Sequence, residues 1–260
     1  MKVVILAGGY GSRISEESKF RPKPMIEIGG KPILWHIMKE YSYYGFNEFI
    51  ICAGYKQEHI KEYFSNYFVY NSDVTFDFTS GQNTKIVHDQ HVPPWKVTVV
   101  DTGMDTMTGG RIKRIQKYTQ GEPFMMTYGD AVCDVNIRAL YEFHVAHGKI
   151  ATLTATRMTQ TKGVLNVGGD NAVSSFREKH LTDGALINSG YMVLNPEIFK
   201  YIDGDSTIFE KEPMQNLIND NQLMSFVFKG FWQCMDTYRE KDILEKLWEN
   251  NQAPWKVWDK

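Results

Sequence analysis

With 260 residues, 42% of them apolar and 23% charged, the chain can bury a sizeable core and is neither disordered nor fibrous in composition. Twenty-nine Lys and Arg against 31 Asp and Glu leave a net charge of −2, so no basic surplus points to nucleic acid or anionic lipid as a partner. Charge or glycine interrupts every apolar stretch well short of the roughly 20 residues that cross a bilayer. No membrane span and no secretory leader are expected, and the expected compartment is the cytoplasm.

Residues 3–7 read as a short buried strand and residues 32–44 as a helix, whose Ile33, Leu34, Ile37, Met38 and Tyr41 form one apolar stripe. Gly45 stands where a helix end favours a left-handed residue. Residues 49–53 are a second strand, which completes a βαβ unit and implies a parallel sheet. Residues 56–68 read as a further helix, with Ile60, Tyr63, Phe64 and Tyr67 on one side. The pattern then changes to period two in 74–78 and 97–100, which read as antiparallel strands of a β-rich insertion at about 70–102. Residues 124–127 are a third parallel-type strand ending at Tyr128-Gly129-Asp130, followed by a helix at 137–147 and a strand at 151–155. Further strands are expected at 164–167, 173–178 and 185–194, and helices at 207–222 and 239–249. The expected fold class is α/β: one Rossmann-like, doubly wound domain over 1–260, with a mostly parallel mixed sheet and an inserted antiparallel β-subregion.

Cys52, Cys133 and Cys234 are odd in number and far apart, so buried thiols are expected rather than disulfides or zinc. His88 with His91, and His144 with His147, share the i, i+3 spacing of a helical face, but no third ligand stands at a recognisable distance. They are expected to be solvated polar residues. Trp35, Trp95, Trp248, Trp255 and Trp258 are expected to pack between subunits, because the C-terminal stretch looks too polar to bury itself, so a homo-oligomer is expected.

Leu6-Ala7-Gly8-Gly9-Tyr10-Gly11-Ser12-Arg13 follows the first strand directly, where an open α/β sheet places its ligand crevice. Glycines let backbone N–H groups approach phosphate oxygens without obstruction. The loop is neither a dinucleotide fingerprint, since Ile14 occupies the last glycine position, nor a Walker loop, which needs Gly-Lys-Ser/Thr. Arg13 adds a guanidinium fork suited to phosphate, and Lys23 is aimed by the prolines of Arg21-Pro22-Lys23-Pro24.

This loop and the Pro-Lys-Pro run, followed by Ile28-Gly29-Gly30-Lys31-Pro32-Ile33-Leu34, resemble the sugar-1-phosphate nucleotidylyltransferases, and the likeness extends along nearly the whole chain. It includes Asp101-Thr102-Gly103, Met107-Thr108-Gly109-Gly110-Arg111, Tyr128-Gly129-Asp130, Glu178-Lys179, Ile187-Asn188-Ser189-Gly190 and Phe231-Trp232-Gln233-Cys234-Met235-Asp236-Thr237. Within the family these stretches are most similar to members that use CTP and glucose 1-phosphate and make CDP-glucose and pyrophosphate, with Mg2+. The resemblance implies the nucleotide-diphospho-sugar transferase fold and a role in deoxysugar supply for a surface polysaccharide such as lipopolysaccharide O-antigen. It implies nucleotide contacts from Leu6, Ala7, Gly8, Gly9, Gly11, Ser12, Arg13, Lys23, Thr108, Gly109, Gly110, Arg111 and Asp130. It puts Arg13 and Lys23 on the reacting phosphates as the catalytic pair, Asp130 and Asp236 on the metal, and Lys179, Glu178 and Asn188 on the sugar phosphate.

Cytosine offers adjacent acceptors at O2 and N3, whereas uracil carries a hydrogen on N3, so a guanidinium fork suits the first and is repelled by the second. Arg111 is expected to supply that fork, with Gly109 and Gly110 admitting the base. Three alternatives stay open: another sugar phosphate or UTP or dTTP with the same chemistry, a nucleotide-sugar sensor without turnover, and a nicotinamide dehydrogenase, which the missing glycine disfavours.

Overall fold

The computed structural model describes residues 1–79, 81, 83–90, 92–157, 164–167, 173–177 and 185–259. Its main elements begin with β1 (Lys2–Ala7), α1 (Ile33–Tyr43), β2 (Glu48–Ala53), α2 (Gln57–Tyr70), β3 (Ser72–Asp77), β4 (Thr84–Gln90), β5 (Lys96–Asp101), α3 (Thr108–Arg114), β6 (Phe124–Tyr128) and β7 (Ala131–Cys133). They continue with α4 (Ile137–His147), β8 (Ala151–Arg157), β9 (Val164–Val167), β10 (Val173–Arg177), β11 (Leu186–Leu194), α5 (Glu212–Asn219), β12 (Leu223–Val227), β13 (Trp232–Cys234) and α6 (Tyr238–Glu249).

Seven strands form the central sheet in the order β12-β8-β11-β6-β1-β2-β5. Within it β11 runs antiparallel to both neighbours, and the other pairings are parallel. β1 is buried along its whole length, as a central strand covered on both faces must be. Its Val3, Ile5 and Ala7 join the core that contains the α1 stripe, while Val4 and Leu6 point to the opposite core with Ile112, Phe209 and Leu217. Two cores on two faces make the fold doubly wound.

One part of the expected insertion is corrected. β5 is not antiparallel: it lies parallel to β2, from Glu48 opposite Lys96 to Ala53 opposite Asp101, and forms the sheet's edge. An edge strand with one covered face shows the same alternation as an antiparallel strand, so periodicity could not separate the two. The antiparallel pairing of that region is the hairpin of β3 and β4. The expected 207–222 helix is confined to Glu212–Asn219, with Pro213 in its first turn.

The tryptophan expectation is corrected for Trp255. Trp255 is fully buried within its own chain, Trp35 and Trp258 meet edge to face at 5.7 Å, and Trp248 packs at 4.7 Å on His36 of α1. Trp95 packs against Phe49. His144 is likewise not solvated: it is buried, with its ring nitrogens at hydrogen-bond distance from Thr152 Oγ1 and Asn195 Oδ1. Cys52 and Cys133 are buried free thiols, as expected, whereas Cys234 is a half-buried one. Among the described residues no helix is long and apolar enough to cross a membrane.

Candidate active site

The carboxyl ends of β1 and β6 open into a cleft of about 440 Å³ lined by Leu6, Ala7, Gly8, Gly9, Tyr10, Gly11, Ser12, Arg13, Lys23, Pro24, Thr108, Arg111, Tyr128, Gly129, Asp130 and Asp236, with residues 104–107 at its rim. A wider groove of about 580 Å³ lies between α2 and the 21–32 segment. It carries an exposed Arg21–Glu27 pair, whereas charged groups from distant parts of the chain converge in the smaller cleft.

Arg111 builds one wall. Its side chain is buried, and its Nη1 donates to Thr102 Oγ1 at 2.8 Å and the Gly103 carbonyl at 2.7 Å, while Nη2 donates to the Gly8 carbonyl at 3.0 Å and the Met104 carbonyl at 3.1 Å. Burial lowers the guanidinium's pKa, and the ring of carbonyl dipoles replaces the water it has lost. Two glycines make room for it: a Cβ on Gly8 would sit 2.1 Å from Arg111 Nη1, and one on Gly54 would sit 2.5 Å from the same atom. The expectation that Arg111 presents its fork to a base is thereby corrected, because the four terminal N–H groups are already engaged in tying the glycine loop to the 102–104 turn. Gly109 and Gly110 are corrected for a similar reason. They make room for the 205–207 segment: a Cβ on Gly109 would meet the Thr207 carbonyl at 2.7 Å, and one on Gly110 the Asp205 Cα at 2.5 Å.

The opposite wall is an ion cluster. Lys23 opens a short 3-10 turn after the extended Pro22, and its Nζ donates to Asp130 Oδ2 at 2.6 Å and to Asp236 Oδ1 at 2.5 Å. Arg13 Nη1 donates to the other oxygen, Asp236 Oδ2, at 2.6 Å. Only 10% of the Lys23 side chain is exposed, against 70% for Arg13, so Lys23 is the fixed cation and Arg13 the one free to reach outward. Burial alone would lower the Lys23 pKa, but Asp130 and Asp236 outweigh it and raise the value, so the ammonium stays charged at neutral pH.

A small ribbon brings the two aspartates together. β7 and β13 pair antiparallel with Ala131 opposite Cys234, which sets Asp130 across from Met235 and so one residue away from Asp236. The Met235 N–H donates to the Asp130 carbonyl at 2.8 Å. Asp236 is further held by its own N–H, which donates to Glu240 Oε2 at 2.8 Å beside the Thr237 capping box of α6.

Leu6, Ala7, Gly8, Gly9, Gly11, Ser12, Arg13, Lys23, Thr108, Arg111, Asp130 and Asp236 thus line one cleft. Glu178 and Lys179 lie outside the described residues. Asn188 is exposed on β11, accepts the Gly190 N–H at 2.9 Å and is not one of the residues lining the cleft. Sequence reasoning missed Glu210, whose carboxylate accepts from Tyr128 Oη and, at 2.6 Å, from Thr108 Oγ1. It also missed the Tyr10 hydroxyl, which donates to Asp105 Oδ1 at 2.7 Å across the mouth. No local signal marks either pair, since each partner is contributed by a distant segment.

Asp130 and Asp236 are the residues that could hold a metal. Their oxygens already converge on one cationic atom, and carboxylates are donors for a hard divalent ion. Among the described residues no three His, Cys, Asp or Glu side chains cluster into a self-sufficient cage. Two carboxylates fit an ion such as Mg2+ that keeps waters and binds substrate phosphates.

The sequence profile described as nucleotidyl transferase matches residues 2–249. The chain is 55% identical over 260 residues to a glucose-1-phosphate cytidylyltransferase of Salmonella typhimurium, covering 100% of both chains. It is 43% identical to a probable glucose-1-phosphate cytidylyltransferase of Bacillus subtilis, over 99% of this chain and 100% of that one. The crystal structure of HddC from Yersinia pseudotuberculosis superposes with a TM-score of 0.66 at 24% identity, covering 95% of this chain and 99% of that one, a likeness of fold. On the profile match and the full-length identity, this chain belongs to the nucleotidyl transferase family.

Proposed function

We propose that the cleft transfers a cytidylyl group from CTP to glucose 1-phosphate, giving CDP-glucose and pyrophosphate. The observation that carries the proposal is the single ammonium of Lys23, bonded to both Asp130 and Asp236 beside a glycine loop. The full-length likeness to glucose-1-phosphate cytidylyltransferases supports the choice of substrates.

In the reaction an oxygen of the sugar phosphate attacks the α-phosphorus in line, a new P–O bond forms, and the bond to the β-phosphate breaks to release pyrophosphate. The attacking phosphate is already a dianion near neutral pH, so the cleft needs no general base. Its task is to position the substrates and neutralise charge. The glycine loop and Ser12 take the triphosphate, Lys23 and Arg13 face the charge that builds on the α-phosphate and leaving group, and Asp130 and Asp236 would hold Mg2+. That ion, when bound, neutralises phosphate oxygens and helps fix their geometry. Lys179 is assigned to the sugar phosphate by resemblance, with Glu178 and Asn188 the candidates for sugar hydroxyls. Arg111 serves the nucleotide by holding the Gly8 loop.

A panel crossing four nucleoside triphosphates with several hexose 1-phosphates, read by pyrophosphate release with Mg2+, tests this reading. Release with CTP and glucose 1-phosphate above other pairs is expected. A preference for UTP or dTTP, or for another sugar, replaces the substrate assignment, and no release with any pair favours a sensor.

We further propose a homo-oligomer, now on a different surface from the tryptophans. Phe68 and Tyr70 at the end of α2 and Phe76 and Phe78 on one face of the hairpin are all exposed, an apolar patch that a second copy would cover. Light scattering of the wild type and of Phe76→Ser/Phe78→Ser checks it, with a smaller species expected for the variant. The three free thiols and the use of CTP support a cytoplasmic location, where CDP-glucose would serve deoxysugar synthesis for a surface polysaccharide.

A further inference from the structure

Behind the ribbon that carries the two aspartates lies a polar cluster sealed from solvent. Glu40 of α1, Cys133 of β7 and Tyr191 of β11 are all 0% exposed. Cys133 Sγ donates to Glu40 Oε1 at 3.3 Å, Tyr191 Oη lies 2.9 Å from Glu40 Oε2, and Tyr191 Oη donates to the Ala131 carbonyl at 3.2 Å. Apolar side chains of like volume would fill this space at no desolvation cost, so an acid here needs a reason.

Proton counting supplies one. A tyrosine hydroxyl has a single hydrogen. If that hydrogen goes to the Ala131 carbonyl, the Glu40 acid must donate to Tyr191 Oη, and its other oxygen then accepts the Cys133 thiol. A protonated Glu40 satisfies every group in this chain, whereas a carboxylate would take the tyrosine's hydrogen and leave the Ala131 carbonyl without it. Burial raises the Glu40 pKa well above its ordinary range, consistent with the protonated form.

The chain of bonds ends on Ala131, the residue after Asp130. β7 and β13 pair only with each other, over three residue pairs, and a ribbon that short is marginal alone. It needs bracing from the layers around it. Its second strand is braced at Trp232, whose Nε1 donates to the Ser189 carbonyl at 2.7 Å, again on β11.

We propose that Glu40 and Tyr191 are positioning residues for the reaction, holding β7 so that Asp130 and Asp236 stay converged on one point. The inference rests on the metal reading of that aspartate pair. Tyr191→Phe removes one oxygen and keeps the ring, which stacks on Tyr41 at 5.8 Å, so the variant is expected to fold. Glu40→Gln can donate to Tyr191 and accept from Cys133, and is the conservative rescue. Glu40→Leu can do neither.

The test titrates Mn2+ into full-length enzyme held in excess over CTP, read by electron paramagnetic resonance, with the thermal midpoint of each variant measured in parallel. Tyr191→Phe and Glu40→Leu are expected to weaken Mn2+ binding about tenfold, the scale on which residues behind metal ligands act. Glu40→Gln is expected to stay within about twofold of wild type, because the bonding chain is kept. In turnover, both damaging variants should raise the Mg2+ concentration for half-maximal rate and leave the KM for glucose 1-phosphate unchanged. A lower thermal midpoint with unchanged Mn2+ affinity would overturn the inference and leave the cluster a packing feature. Failure of the underlying reading looks different: wild type and Asp130→Asn/Asp236→Asn would then hold Mn2+ equally.

Discussion

The two walls of the cleft each hold a cation out of water, and they do so in opposite ways. Arg111 is surrounded by backbone carbonyls and one hydroxyl, while Lys23 sits between two carboxylates. Carbonyl partners belong to the chain's own path and cannot leave without unfolding a turn. Carboxylate partners can be shared with a metal ion, and an ammonium can turn to a phosphate instead. The first wall is therefore a fixed frame and the second an exchangeable one, which suits a reaction that must admit a triphosphate and later release pyrophosphate.

The largest effect expected from this contrast is in Lys23→Ala. Removing the ammonium should lower kcat by about 10²- to 10³-fold, the usual consequence of deleting a donor to transition-state charge. It should also let Mn2+ bind without nucleotide more tightly than in the wild type, because the aspartate pair loses its internal cation. Unchanged turnover would break the comparison at its main point.

Arg111→Ala should act as a loss of frame. It leaves several carbonyls unsatisfied, each costing about 1–3 kcal/mol if water cannot reach it, so the thermal midpoint should fall. The KM values for CTP and UTP should rise together. A loss confined to CTP would mean that the guanidinium reads the base after all and is not spent on the frame.

His36 sharpens the contrast as a buried base with no counter-charge. Burial pushes it down to about 4, against the pull of the Ile28 carbonyl, which its Nε2 meets at 2.9 Å. Its Nδ1 accepts from Trp255 Nε1 at 3.3 Å, a bond that a proton on Nδ1 would abolish. The folded value lies below the unfolded one, so the stabilisation is present above the unfolded pKa and is lost as pH falls through the window from about 6.5 to 4. The loss should reach roughly 3 kcal/mol at the acid end. Thermal midpoints across that window should fall for wild type and flatten for His36→Gln.

The smallest effect is expected from Gly8→Ala. Its new Cβ would lie 2.1 Å from Arg111 Nη1, forcing a shift at a cost of roughly 1–3 kcal/mol. In an Arg111→Ala background the Gly8→Ala substitution should cost less than in the wild type, a partial recovery, because the clashing group is gone. No recovery would show that the glycine serves the ligand and not the arginine.

The sequence by itself determined the alternation of strands and helices, the glycine loop after β1, the Pro-Lys-Pro run and the acids at 130 and 236. These are local features: apolar spacing reports which face of an element is covered, and glycine and proline report backbone conformation. Local pattern could not distinguish an edge parallel strand from an antiparallel one, so β5 needed its neighbour β2 to be assigned. Nor could it say which partners a side chain would find. Only the tertiary structure turned Arg111 inward, set Gly109 and Gly110 against residues 205–207, buried Trp255 within its own chain and joined Glu210 to Tyr128. The meeting of Asp130 with Asp236 was decided the same way, by a three-pair ribbon whose register depends on what packs behind it and not on either strand's own sequence.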